Sequence, residues 1–109
     1  MTLTEVIGES LPLGRTVQLL CKEPDRVAAA LRRQLPVQRD GLWAHWRTQR
    51  FEVGITTVQW YCEDAHGHIV GPVTRFLIGS RKSMDGLRGR LRFKRTGPRK
   101  WKLLAGASS

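Results

Sequence analysis

Cysteine is scarce in this chain, and long apolar segments are lacking altogether. The two cysteines, Cys21 and Cys62, each follow apolar residues, so they fit reduced core thiols better than the disulfide framework of a small secreted domain. No apolar run approaches the roughly 18 residues of a membrane-spanning helix, and the first residues lack the basic start of a signal peptide. These absences predict a cytoplasmic protein without a membrane segment.

The chain is short, but its hydrophobic content suffices for folding without a metal or a disulfide. Its 109 residues fit one domain, and 40% of them are hydrophobic, which argues against wholesale disorder. We expect a single compact domain over residues 1–104 and a flexible tail over residues 105–109.

Acidic residues are absent from residues 86–102, where eight residues are basic. The net charge of the chain is +10, and outside this segment eleven basic residues are nearly balanced by nine acidic ones. Such localised positive charge indicates a polyanionic partner, most simply nucleic acid, DNA or RNA. The predicted nucleic-acid contacts are Arg88, Arg90, Arg92, Lys94, Arg95, Arg99, Lys100 and Lys102.

The basic segment alternates between apolar and charged residues with the period of a β-strand. Leu87, Leu91 and Phe93 fall on one side, whereas the basic residues between them fall on the other. After a turn, Trp101 continues the apolar side and Lys102 the basic side. A two-stranded ribbon of this kind fits a nucleic-acid groove, although basic edges also serve simply to discourage sheet aggregation. The predicted hairpin has strands at 87–95 and 100–104 and a turn at 96–98.

One helix is strongly indicated, over residues 24–34. Val27, Leu31 and Leu35 form a single apolar stripe, and Pro36 ends the helix. Near the amino terminus, Thr2 or Thr4 could cap a shorter helix, but the pattern there is ambiguous.

Aromatic and β-branched residues dominate the chain from residue 42 onward, after a weaker strand signal at 16–21. Gly71 and Pro72 indicate a bulge or an edge within one of these strands. The predicted fold is α+β, with one main helix packed on a roughly five-stranded antiparallel sheet that ends in the basic hairpin. The expected strands before the hairpin are 42–51, 53–62 and 68–78.

An alternative architecture is a winged helix-turn-helix with a β-rich extension. The passage Val27-Ala-Ala-Ala-Leu-Arg-Arg-Gln-Leu, followed by Arg39-Asp40-Gly41-Leu42-Trp43, resembles the helix-then-wing part of winged-helix domains. The resemblance implies that residues 16–22 form a first helix and that 24–34 is the recognition helix, with Arg26 and Arg33 on one face.

Aromatic residues occur on both faces of the predicted sheet. Trp43 shares a face with His45 and Arg47, whereas Trp46 lies on the opposite face. The Trp43 face is the more plausible solvent-facing one and could stack bases, although aromatic residues at such positions mostly belong to a core. Auxiliary contacts are predicted at Arg47, Arg50, Arg81, Lys82 and Trp43.

The spacing of the cysteine, histidine and acidic residues gives little support for a metal site or a catalytic site. Cys62, Asp64, His66 and His68 form one cluster in a predicted turn, whereas a structural zinc site usually shows two separated pairs of ligands. We therefore expect no metal and no cofactor. A small basic ribonuclease using His45, His66, Glu52 and Arg47 remains an alternative, because these residue types could supply acid, base and phosphate contacts.

The function that the sequence favours is non-catalytic nucleic-acid binding through the basic hairpin, in a regulatory or accessory factor. The competing hypothesis is a protein-interaction module or inhibitor that binds an acidic protein surface. Phosphate contacts carry neither sequence nor sugar information, so the charge pattern does not separate DNA from RNA.

Overall fold

The described part of the chain folds into one curled, half-barrel-like sheet of seven strands with two short helices. The computed structural model of the protein describes residues 1–52, 54–84 and 91–105. The strand order across the sheet is β2-β3-β4-β5-β1-β6-β7. The helices are α1 (Leu3–Ser10) and α2 (Pro24–Gln34), and a 3-10 turn spans Leu11–Leu13. The strands are β1 (Thr16–Leu20), β2 (Gln38–Arg39), β3 (Leu42–Glu52), β4 (Ile55–Glu63), β5 (Ile69–Gly79), β6 (Leu91–Gly97) and β7 (Lys100–Ala105).

The predicted fold class is wrong, because the sheet is larger than expected and is mixed. Strand β1 pairs in parallel with β5 on one side and with β6 on the other, while the remaining pairings are antiparallel. The physical reason lies in β1 itself. Its sequence TVQLL is buried at four of five positions, as expected for a strand covered on both faces, so it occupies the interior of the sheet.

The winged-helix alternative is also wrong, for the same reason. It requires a first helix over residues 16–22, but residues 16–20 are β1. The valine and two leucines of this short segment suit a strand buried on both faces, and they show no helical periodicity. The helix predicted at 24–34 is confirmed with the same bounds.

Both helices lie on one face of the sheet and enclose the main core. Helix α1 begins at a capping box, in which the Thr2 hydroxyl accepts from the Glu5 N–H and the Glu5 carboxylate accepts from the Thr2 N–H; such boxes satisfy two otherwise unpaired donors. Val27 and Leu31 of α2 are buried with strand residues of alternating position. The strand residues of this core include Val17, Leu19, Val58, Trp60, Phe76, Ile78, Leu91, Phe93 and Trp101.

The expected irregularity at Gly71 and Pro72 is confirmed as a bulge between β4 and β5. Arg39 holds it, because one guanidinium nitrogen donates to the carbonyls of Val70 and Pro72, each at 3.1 Å. The guanidinium also lies 4.8 Å from the centroid of the Trp60 ring, within the range of a cation–π contact. This clamp joins the short strand β2 to the bulge.

The predicted strand segment 87–90, Val53 and tail residues 106–109 lie outside the described residues. Within the described part of the chain, no helix has the length and apolar character needed to cross a membrane. Cys21 and Cys62 are both buried.

Candidate functional site

The basic hairpin consists of β6 and β7, joined by a turn at 98–99. Leu91, Phe93 and Trp101 are buried against the helices, which confirms the predicted apolar side for the described residues. Lys94 and Lys102 stand directly opposite each other in the register, and both are exposed. They lie on the sheet face opposite the helices, here called the outer face.

Arg92 has a structural contact on the outer face. Its Nε donates to Oε1 of Gln18 at 2.8 Å, and Gln18, in the central strand β1, is fully buried. A buried polar side chain requires such partners. Arg92 therefore has a structural role in the sheet through its Nε. The predicted contacts Arg88 and Arg90 lie outside the described residues.

We expect Arg92→Gln to lower the free energy of unfolding by about 1–2 kcal/mol, because it removes a charge-assisted hydrogen bond to a buried side chain. The matched control is Lys94→Gln on the same strand. It removes one of two opposed like charges and should leave stability unchanged or raise it by a few tenths of a kcal/mol. Urea unfolding followed by tryptophan fluorescence measures both variants. Equal losses in the two would contradict the structural role of Arg92.

Arg95 points to the helix side of the hairpin. It is half-buried, and its guanidinium donates to the Pro98 carbonyl at 3.1 Å, so it braces the turn that carries Arg99. Its opposite neighbour in β7 is Trp101. Arg95 therefore lies where the hairpin meets α2.

Helix α2 and the hairpin turn together border a groove of about 530 Å³, here called the arginine groove. Arg26 and Arg33 reach it from one face of α2, and Arg95 and Arg99 reach it from the hairpin. No aspartate or glutamate is among its lining residues within the described part of the chain. The side chains of Arg33 and Arg99 make no hydrogen bond or ion pair with another described residue, whereas Arg26 forms an exposed ion pair with Glu23 at 3.2 Å.

A second groove, of about 640 Å³, adjoins the first at the carboxyl ends of the parallel strands. It shares Arg26, Arg95 and Pro98 with the arginine groove, and Lys94 and Arg81 add further cations. Cys21 also lines it, but burial raises the pKa of this thiol, so it stays protonated near neutral pH and supplies no thiolate.

The auxiliary residues fall into separate groups. Arg50 is paired with Asp25 at 3.2 Å, so its charge is balanced locally. Arg81 and Lys82 are exposed in the turn that follows β5, whereas Trp43 and Arg47 are exposed on β3 at the far side of the sheet. The structure therefore does not bring all predicted contacts into one surface.

His66 and His68 lie in the turn between β4 and β5. The Asp64 carboxylate accepts from the backbone N–H groups of His66 and His68, each at 2.9 Å, which is a turn-stabilising arrangement. Among the described residues, no group of three or more potential ligands is placed to hold a metal ion.

The members of the hypothetical ribonuclease set occupy different settings. His45 stacks on Tyr61 across strands β3 and β4, whereas His66 lies in the turn beyond β4. The side chain of Glu52 is outside the described set. The described members of this set are therefore not assembled into one acid–base site.

Comparison with known protein families, with curated proteins and with solved structures finds no match to this chain. We therefore infer function from the surface of the described residues. Sequence reasoning placed Arg26 and Arg33 on one helix face but did not connect them with the hairpin. Their seven-residue spacing was the available signal, while the partner arginines lie more than sixty residues away in the chain.

Proposed function

We propose that this protein binds nucleic acid without catalysis, through the β6–β7 hairpin and the adjoining face of α2. The observation that carries the proposal is the arginine groove, in which four guanidinium groups from two distant segments line one cleft. Folding has brought these like charges together, and Glu23 offsets only one of them, in an exposed pair that contributes little.

Guanidinium groups suit a phosphate ligand for geometric reasons. Their planar forks donate two parallel hydrogen bonds to phosphate oxygens, and they stay charged at any physiological pH. Arg33 and Arg99 are exposed and lack other partners among the described residues, so their donors are available. A phosphodiester backbone lying in the groove relieves the repulsion among the four groups.

The outer side of the hairpin adds a second row of charge. Lys94 and Lys102 are direct cross-strand neighbours, and opposed like charges destabilise a strand pair. Because a polyanion also neutralises this pair, the ribbon can meet phosphates on both of its sides.

Fluorescence anisotropy with a labelled duplex and a labelled single strand of equal length, across a KCl series, tests the proposal. If about five phosphates of a duplex are neutralised, log affinity should fall with log salt at a slope near −4.5. Absence of binding to both probes at low salt overturns the proposal and leaves an acidic protein surface as the remaining partner class.

The variant Arg33→Gln/Arg99→Gln should weaken binding and make the salt slope shallower by about 2, since each phosphate contact contributes roughly 1. The control is Arg32→Gln/Arg50→Gln, which removes the same charge at residues bonded to Thr48 and Asp25. The control should keep most of the slope. If both double variants change the slope equally, the groove is not the contact surface.

A further inference from the structure

The outer face carries a cluster of aromatic rings far from the basic hairpin. Trp43 on β3 is 63% exposed. Two residues further along the same strand, His45 stacks on Tyr61 of β4, with ring centroids 5.8 Å apart and planes inclined by 18°. Trp43, His45 and Tyr61 are called the ring platform here.

These rings do not belong to the core. On β3, residues of the opposite parity face the helices: Arg32 of α2 donates to Thr48, and Asp25 of α2 pairs with Arg50. Trp46 shares that parity and stands across from the buried Trp60. The ring platform is therefore held in place by a regular strand pair, with Trp43 and His45 exposed and Tyr61 half-buried.

Cations and hydrogen-bonding groups continue the platform along the same face. Arg47, Gln59 and Arg75 are successive cross-strand neighbours on β3, β4 and β5, and both arginines are exposed. Glu63 places a carboxylate oxygen 3.9 Å from His45 Nε2, and carboxylates accept hydrogen bonds from exocyclic amino groups of bases.

We infer that the ring platform binds the unpaired bases of a single-stranded nucleic acid, with Arg47 and Arg75 contacting its backbone. This inference rests on the proposed function and adds to it that the nucleic acid is single-stranded. Bases inside a duplex are stacked on one another and cannot lie on protein rings, whereas aromatic side chains on an accessible sheet face stack splayed bases. Successive side chains on one face are about 6.6 Å apart along a strand, a step that an extended single strand can follow.

The test measures the affinity of Trp43→Ala for labelled oligodeoxycytidylate, oligocytidylate and a duplex, since cytosine carries the exocyclic amino group that Glu63 can accept from. Loss of one stacked base should weaken binding to at least one of the single strands roughly 5- to 150-fold and leave duplex binding within about twofold, since the groove contacts persist. Trp43→Phe should restore most of the affinity, because it keeps a ring. The two single strands distinguish DNA from RNA.

Trp46→Ala is the matched control, since Trp46 is 37% exposed on the same strand but faces the helix side. It should leave every affinity unchanged. If Trp43→Ala binds both single strands like the parent protein while Arg33→Gln/Arg99→Gln binds them more weakly, the inference that the ring platform binds bases is wrong and the proposed function stands. If neither single strand binds the parent protein, the platform is also wrong, and duplex binding then decides the proposed function.

Discussion

Replacing Trp60 by alanine should lower the free energy of unfolding by about 3–5 kcal/mol, the usual cost of emptying a large aromatic site. The Trp60 side chain is 1% exposed at the centre of the main core. Its indole N–H also donates to the Pro36 carbonyl at 2.9 Å, and Arg39 lies over its ring. The ring therefore links the end of α2, the strand β2 and the bulge. Thermal and urea unfolding measure the loss.

The variant Trp60→Phe separates packing from hydrogen bonding. It keeps an aromatic ring but removes the N–H donor to the Pro36 carbonyl. Loss of this hydrogen bond should by itself lower the free energy of unfolding by about 1–2 kcal/mol. An alanine variant that loses less than the phenylalanine variant would contradict the central position of this ring.

Gly14→Ala should destabilise the protein by about 2–4 kcal/mol, through backbone strain and overpacking together. Gly14 ends the 3-10 turn with a φ of 56°, in the left-handed region that a side chain disfavours. An added Cβ would also collide with the Cβ of Pro72, which sits on the β5 bulge held by Arg39. Neither group can move without disturbing the sheet.

Gly8→Ala provides the opposite outcome by the same chemical change. Gly8 is an exposed position in α1, and nothing lies within 4 Å of an added Cβ. Alanine should raise stability there by up to about 1 kcal/mol, because it favours the helix. Urea titrations of the two variants side by side measure the difference. Similar stabilities would show that the chain does not approach Pro72 at Gly14.

Local elements of this fold could be read from the sequence, whereas their long-range pairing could not. The stripe of Val27 and Leu31 indicated α2 because helical periodicity is contained in neighbouring residues. Strand β1 carries no comparable sign of its partners: it pairs with β5 and β6, which lie more than fifty residues away. In the sequence, the apolar residues on both sides of Gln18 were the clue to a central position.

The candidate site divides in the same way. Alternation along the hairpin correctly separated Phe93 and Trp101 from Lys94 and Lys102. The sequence did not show which basic residues have a structural partner, because Arg92 bonds to a glutamine from a distant strand. Convergence of α2 with the hairpin likewise depends on packing across the sheet, which no local spacing encodes.

The central position of β1 has a consequence for the order in which the protein can be completed during synthesis. The strand emerges before its neighbours, because its partner residues in β5 and β6 lie 59 and 74 positions later in the chain. Until β5 and β6 have left the ribosome, the nascent chain exposes two unpaired strand edges beside apolar side chains, a condition that favours aggregation. Closure of the sheet around β1 thus waits for the synthesis of β5 and β6, and contacts so distant in sequence make folding slow.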